Sequence, residues 1–131
     1  MFRKFSLSIS MLLIVLLTFS CAATSQNTYK VLSVSFQTYD TVLTAVGNLY
    51  KQGLISETQK EKVITAGKIY KESHNVAVAA FLQFTDSETA TDEEAYLRAI
   101  ATTSMLLAEL IRIAVPLLPE DELDHTIRRG E

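Results

Sequence analysis

Apolar residues recur at alternating steps of three and four through three long stretches of this chain, which holds only four glycines and two prolines. That spacing runs a continuous stripe down one face of an α-helix and does not fit the strict alternation of a half-buried strand. In the first stretch Tyr29, Leu32, Phe36, Tyr39, Leu43, Val46 and Tyr50 share one line. Gly53 can take the left-handed conformation that closes a helix, so the first helix is predicted to end near Gln52.

Ser56 and Gln59 form a capping box, the serine hydroxyl and the glutamine side chain each satisfying the other's backbone amide, and a second helix is predicted to start there. Its stripe is Val63, Ala66, Tyr70, Ala77, Ala80 or Phe81, and Phe84, crossing Ser73 at one polar step. Ser73, His74 and Asn75 favour helix weakly, but no breaker interrupts them, so one helix is expected to about Phe84. After a polar loop, Thr91 and Glu94 form another capping box, with Asp92 and Glu93 at the positive end of the helix dipole. The third stripe is Tyr96, Ile100, Thr103, Leu107, Leu110, Ala114 and Leu117, with Pro116 ending it. A short charged helix is predicted over residues 119–131. Pro119 suits its first position, Glu120 to Glu122 fill the first turn, Arg128 and Arg129 the last, and Leu123 and Ile127 are its docking residues. Short connections make neighbouring helices antiparallel. The expected fold is therefore all-α, an antiparallel up-down-up three-helix bundle over residues 28–118 with a short C-terminal helix.

The 131 residues are 48% apolar with a formal charge of −3 and one cysteine, which excludes a disordered tail, a collagen-like repeat and a disulfide scaffold. Without a basic excess, nucleic acid is not an expected partner.

Residues 1–20 stand apart from this bundle. Arg3 and Lys4 precede an apolar run from Leu7 to Phe19, broken only by Ser8, Ser10 and Thr18. That length matches the apolar region of an export signal better than the ~20 residues of a membrane-spanning helix. Loss of the leader's two positive charges takes the formal charge from −3 to −5. Cys21, the single cysteine, follows directly, and residues 21–27 are small and polar enough to form a tether.

The run ending Thr18-Phe19-Ser20-Cys21 resembles the signal of bacterial lipoproteins. Ser20 fits the place before the cysteine, while Thr18 and Phe19 are not the family's usual choices and Leu17 lies one step upstream. The resemblance implies acylation of the Cys21 thiol, cleavage before it, and a chain held to the membrane by lipid. Ala22, standing where an aspartate commonly retains a lipoprotein in the inner membrane, implies the periplasmic side of the outer membrane in a Gram-negative host. Two alternatives stay open. Cys21 and Ala23 also satisfy the small-residue rule for cleavage after Ala23, which gives a soluble chain from Thr24, and the uncharged stretch from Phe5 to Ala23 can remain as an anchor.

No glycine-rich phosphate loop, metal-ligand spacing or nucleophile–base pairing occurs in the sequence, so no catalytic, cofactor or metal site is expected. His74 reads as a histidine near the edge of its helix stripe, the alternative being a partly buried acid/base group. His125, with Asp121 and Arg129 four residues to either side, reads as an exposed ion-paired face. Glu109 and Arg112 interrupt the most apolar stretch, either as an ordinary surface ion pair or as the mark of a polar groove or oligomer contact. Apolar residues off the main stripes include Val31, Val34 and Val42, and Leu97, Leu106, Ile111 and Ile113. They belong either to a wide core or to a patch for a protein partner, a second copy or the membrane surface. The leading expectation is a lipid-anchored, non-enzymatic interaction or structural module of the cell envelope. The alternatives are a soluble exported bundle binding a small apolar ligand between its helices, and a membrane-active protein whose third helix inserts.

Overall fold

The computed structural model describes residues 2–119, and side-chain surroundings from residue 26 onward. Among the described residues there are three α-helices and no strand: α1 Phe2–Lys51, α2 Glu57–Ser87 and α3 Ala90–Ala114, followed by a 3₁₀ turn, Val115–Leu117. The chain divides into two units, Met1–Val31 and Leu32–Glu131. In the first, α1 is continuous and includes residues 21–27, the stretch read as a tether. The predicted fourth helix over 119–131 falls almost wholly outside the described residues.

The bundle lies in the second unit, and two apolar clusters fix its topology. One joins Tyr39, Val42, Val46 and Leu49 of α1 to Val63 and Tyr70 of α2 and Leu110 and Ala114 of α3. The other joins Leu32 to Ala77 and Phe81 and to Tyr96. Each helix thus passes between the clusters in the opposite sense to the helix before it, which is the up-down-up arrangement expected from the short connections. Tyr70, Tyr96, Leu110, Val46 and Val63 are fully enclosed.

Local chemistry explains the helix ends. Gly53 adopts φ +72°, and the amides of Gly53 and Leu54 return to the carbonyls of Tyr50 and Leu49, a Schellman closure of α1. The Ser56–Gln59 box forms as expected, with the Gln59 amide donating to Ser56 Oγ at 3.2 Å and the Ser56 amide to Gln59 Oε1 at 2.8 Å. Pro116, lacking an amide hydrogen, ends the α-helical ladder and sits in the 3₁₀ turn. The α2–α3 connection differs from the prediction. α2 runs to Ser87, and the cap of α3 is Thr89 rather than Thr91, its hydroxyl accepting from the Asp92 amide at 3.2 Å. The Asp92 carboxylate accepts from Ser87, from Thr89 and from Gln83 of α2, so one side chain clasps the whole turn. Those bonds, Ser87's first, hold its carboxyl pKa below the ordinary aspartate range.

Core registers also shift. On α1 the buried apolar positions are Leu32, Tyr39, Val42, Val46 and Leu49, while Phe36 and Tyr50 are each 37% exposed and Tyr29 is 69% exposed. On α2 the buried line is Val63, Gly67, Tyr70, His74, Ala77 and Phe81, one residue beyond the predicted Ala66 and Ser73 steps. Gly67 sits there because α1 passes close: a Cβ would stand 3.1 Å from Leu43 Cδ2 and 3.3 Å from Tyr39 Cε2. Displaced from the core, Tyr50 instead clasps the α1–α2 turn. Lys60 Nζ lies 3.9 Å from its ring centroid and 2.7 Å from Glu57 Oε1. The α3 register is as predicted.

Among the described residues, one that is not glycine has a positive φ. Glu88 ends α2 at φ 52°, where an L side chain crowds its own carbonyl at a cost of about 1–2 kcal/mol, a penalty glycine escapes. Glu88→Gly is expected to stabilise the bundle by about 0.5–1 kcal/mol, read as a rise in the urea midpoint with unchanged slope.

Candidate functional site

Two features of the bundle are candidates for function: a buried polar seam at its centre and an open groove on its surface.

The seam is built from α2 residues that reach both neighbours. Toward α1, the Tyr70 hydroxyl donates to Ser35 Oγ at 2.9 Å, and Ser35 donates to the Leu32 carbonyl at 2.9 Å. The same carbonyl lies 3.0 Å from His74 Nε2. Because a carbonyl only accepts, Nε2 carries the hydrogen. Toward α3, Thr103 Oγ1 donates to the Ala99 carbonyl at 2.9 Å and so accepts from Ser73 Oγ at 2.8 Å. His74, 8% exposed, is therefore a core residue rather than one at the stripe edge. It lies in a ring cluster, with centroids 5.1 Å from Phe36 and 5.8 Å from Tyr70. Its Nδ1 is enclosed and makes no hydrogen bond among the described residues.

The seam's connectivity is structural in character. Each hydroxyl spends its proton on a neighbour along a chain that ends at a backbone carbonyl, and neither Ser35 nor Tyr70 hydrogen-bonds an imidazole nitrogen. The nucleophile–base contact that activates a hydroxyl is not formed there. No group of three metal-ligating side chains occurs among the described residues.

The groove, of about 870 Å³, opens between α2 and α3. Ala66 and Ile69 of α2 and Leu106, Ile113 and Leu117 of α3 and its 3₁₀ turn supply an apolar lining, and Glu61, Lys62, Glu109 and Arg112 supply charge. Glu109 and Arg112 form a two-point ion pair, Nε to Oε2 at 2.8 Å and Nη2 to Oε1 at 2.6 Å. The arginine holds the Glu109 carboxyl below its ordinary range. The pair is thus an exposed ion pair, and it also lines the groove. Ile69 is 49% exposed. Sequence reasoning missed the groove because it placed Ala66 on the core stripe and left Ile69, three residues on, outside it. The seven-residue step from Lys62 to Ile69 was the available signal.

The remaining expected residues fall elsewhere. Cys21 lies in the part of α1 whose side chains are not described, and His125, Asp121 and Arg129 lie outside the described residues. Of the off-stripe apolar residues, Val42 is core, whereas Val31, Val34 and Leu97 are exposed, as are Val76, Leu82 and Met105. The segment Ala90–Leu117 is long and apolar enough to cross a membrane by length and composition, yet its Tyr96, Leu110 and Ala114 are buried against α1 and α2. No family model, curated protein or solved structure matches the chain.

The Tyr70 phenol yields a pH prediction. Burial raises its pKa, so the native state retains a proton that the unfolded chain releases near pH ~10, and stability falls as pH rises through that point. Tyr70→Phe is expected to cost about 1 kcal/mol at neutral pH through the lost hydrogen bond and to show a shallower alkaline decline than the native chain. Urea unfolding at pH 7 and across pH 9–11 measures both.

Proposed function

We propose that this bundle is an exported, non-enzymatic binding module that takes a small apolar ligand in the groove between α2 and α3. The observation carrying this reading is the groove itself, whose volume falls in the ~300–1,000 Å³ range of ligand sites and whose lining joins apolar side chains to a few charged ones. Lys62 makes no ion pair among the described residues and is available to an anionic end of an amphiphilic ligand. A fluorescent apolar probe such as N-phenyl-1-naphthylamine is expected to bind saturably. Ile69→Glu, which puts a charge into the apolar lining, is expected to weaken binding at least tenfold, while Leu97→Glu, outside the groove, leaves it unchanged. Absence of saturable binding, or equal binding by the two variants, would refute the reading.

A second proposal concerns location. The Ser20-Cys21 junction after an apolar leader supports export and lipid attachment, which would hold the bundle on the periplasmic face of a bacterial envelope. Several acyl chains together give effectively permanent attachment. Labelled palmitate is expected to enter the native chain and not Cys21→Ala, and equal incorporation by both sinks the lipid anchor. A free Thr24 terminus would identify the soluble exported form instead.

A further inference from the structure

We infer that the outer face of α3 is self-complementary and pairs antiparallel with α3 of a second copy of this chain about a two-fold axis. The inference goes beyond the ligand reading and does not depend on it. Its basis is a line of exposed residues on α3: Glu94, Arg98, Ala101, Met105, Glu109 and Arg112. They follow steps of four, three, four, four and three, which keeps them along one side of the helix, opposite the buried Tyr96, Thr103 and Leu110. Met105, at the middle, is 74% exposed, more than any other large apolar side chain among the described residues. No charged residue occurs between Arg98 and Glu109. The line is about 27 Å long, an uncharged middle closed at each end by an ion pair.

The order of the charges identifies the occupant. Read from Glu94, the line is acid, base, small, large, acid, base. Laid antiparallel on a second copy with the axis level with residue 103, Glu94 meets the partner's Arg112, Arg98 meets the partner's Glu109, and Ala101 leaves the space that the partner's Met105 fills. Each pairing recurs across the axis, so one face supplies both halves of the interface, as an isologous dimer requires. A parallel alignment would set Glu94 on Glu94 and Arg98 on Arg98, like charge against like. Within one chain Glu94 already pairs with Arg98 and Glu109 with Arg112. An exposed pair of this kind contributes little alone, but pair meeting pair closes a network of four charges alternating in sign at each end of the dimer. Specific interfaces bury about 1,200 Å² or more, and a single pair of helices of this length lies at the low end of that range, so the dimer is expected to dissociate at micromolar concentration.

The test is sedimentation equilibrium of the full chain carrying Cys21→Ala, in a density-matched non-ionic detergent that covers the apolar leader. The native face is expected to give a reversible monomer–dimer equilibrium. Glu94→Arg alone and Arg112→Glu alone are each expected to raise the dissociation constant about tenfold, because each sets like charges together at both ends of the dimer. Combined in one chain, the two reversals are expected to return it to within about threefold of the native value. Residues 94 and 112 lie about 27 Å apart on α3, too far to compensate each other within one molecule, so the restoration arises across an antiparallel pair. Helical circular dichroism checks that every variant is folded. A native chain that stays monomeric at about 100 μM overturns the proposal. So does a dimer that neither single reversal weakens, which is the result that association through the leader would give. A double reversal whose loss is the sum of the two single losses overturns the antiparallel pairing.

Discussion

Helix α2 lies against both other helices of the bundle, and the structure depends on how its seven-residue repeat is divided between them. Val63, Gly67, Tyr70, His74, Ala77 and Phe81 form the buried line. Tyr70 and His74 bond α1, and Gly67 leaves room for Leu43 and Tyr39 of α1. Ser73, one residue away from that line, bonds α3. One helix thus presents two adjacent contact lines about 100° apart, which a bundle of three requires and a two-stranded coil does not.

That division explains which parts of the fold were legible in the sequence. Helix ends at Gly53, Ser56 and Pro116 were readable because each depends on chemistry within a few residues. The cap at Thr89 was missed because Thr91 offers the same hydroxyl with a glutamate at the matching distance, and the choice turned on Asp92, which also bonds Ser87 and Gln83. The α3 register was readable because its buried positions are apolar apart from Thr103. On α1 and α2 a polar or minimal residue occupies inward positions, Ser35 half-buried and Gly67 and His74 buried, and an apolar or small neighbour, Phe36, Ala66 or Ser73, made the adjacent line look better. Hydropathy ranks transfer to an apolar surrounding, whereas these polar positions are held by specific partners.

The candidate groove was less legible still. Its charged pair stood out as an interruption of an apolar stretch, but the side of α3 it occupies, and the fact that Ile69 faces it across a gap, follow from the crossing of two helices and from no local pattern. Its exposed apolar side chains cost the isolated bundle free energy that an occupant would recover at roughly 25 cal/mol per Å² covered.

The buried seam bears on why the bundle adopts one register rather than several. Burial of the Leu, Val and Ala side chains in the two apolar clusters is non-directional, and it opposes a slide of α1 by one turn less sharply than directional hydrogen bonds do. Such a slide would carry Ser35 away from Tyr70 and the Leu32 carbonyl away from His74. Each enclosed donor left without an acceptor costs about 1–3 kcal/mol. Two such losses amount to a large share of the ~5–15 kcal/mol that stabilises a whole domain. The seam therefore discriminates among registers more strongly than it adds to net stability. The open nitrogen of His74 is consistent with that division, because discrimination requires only that Nε2 find the Leu32 carbonyl, and Nδ1 takes no part in it.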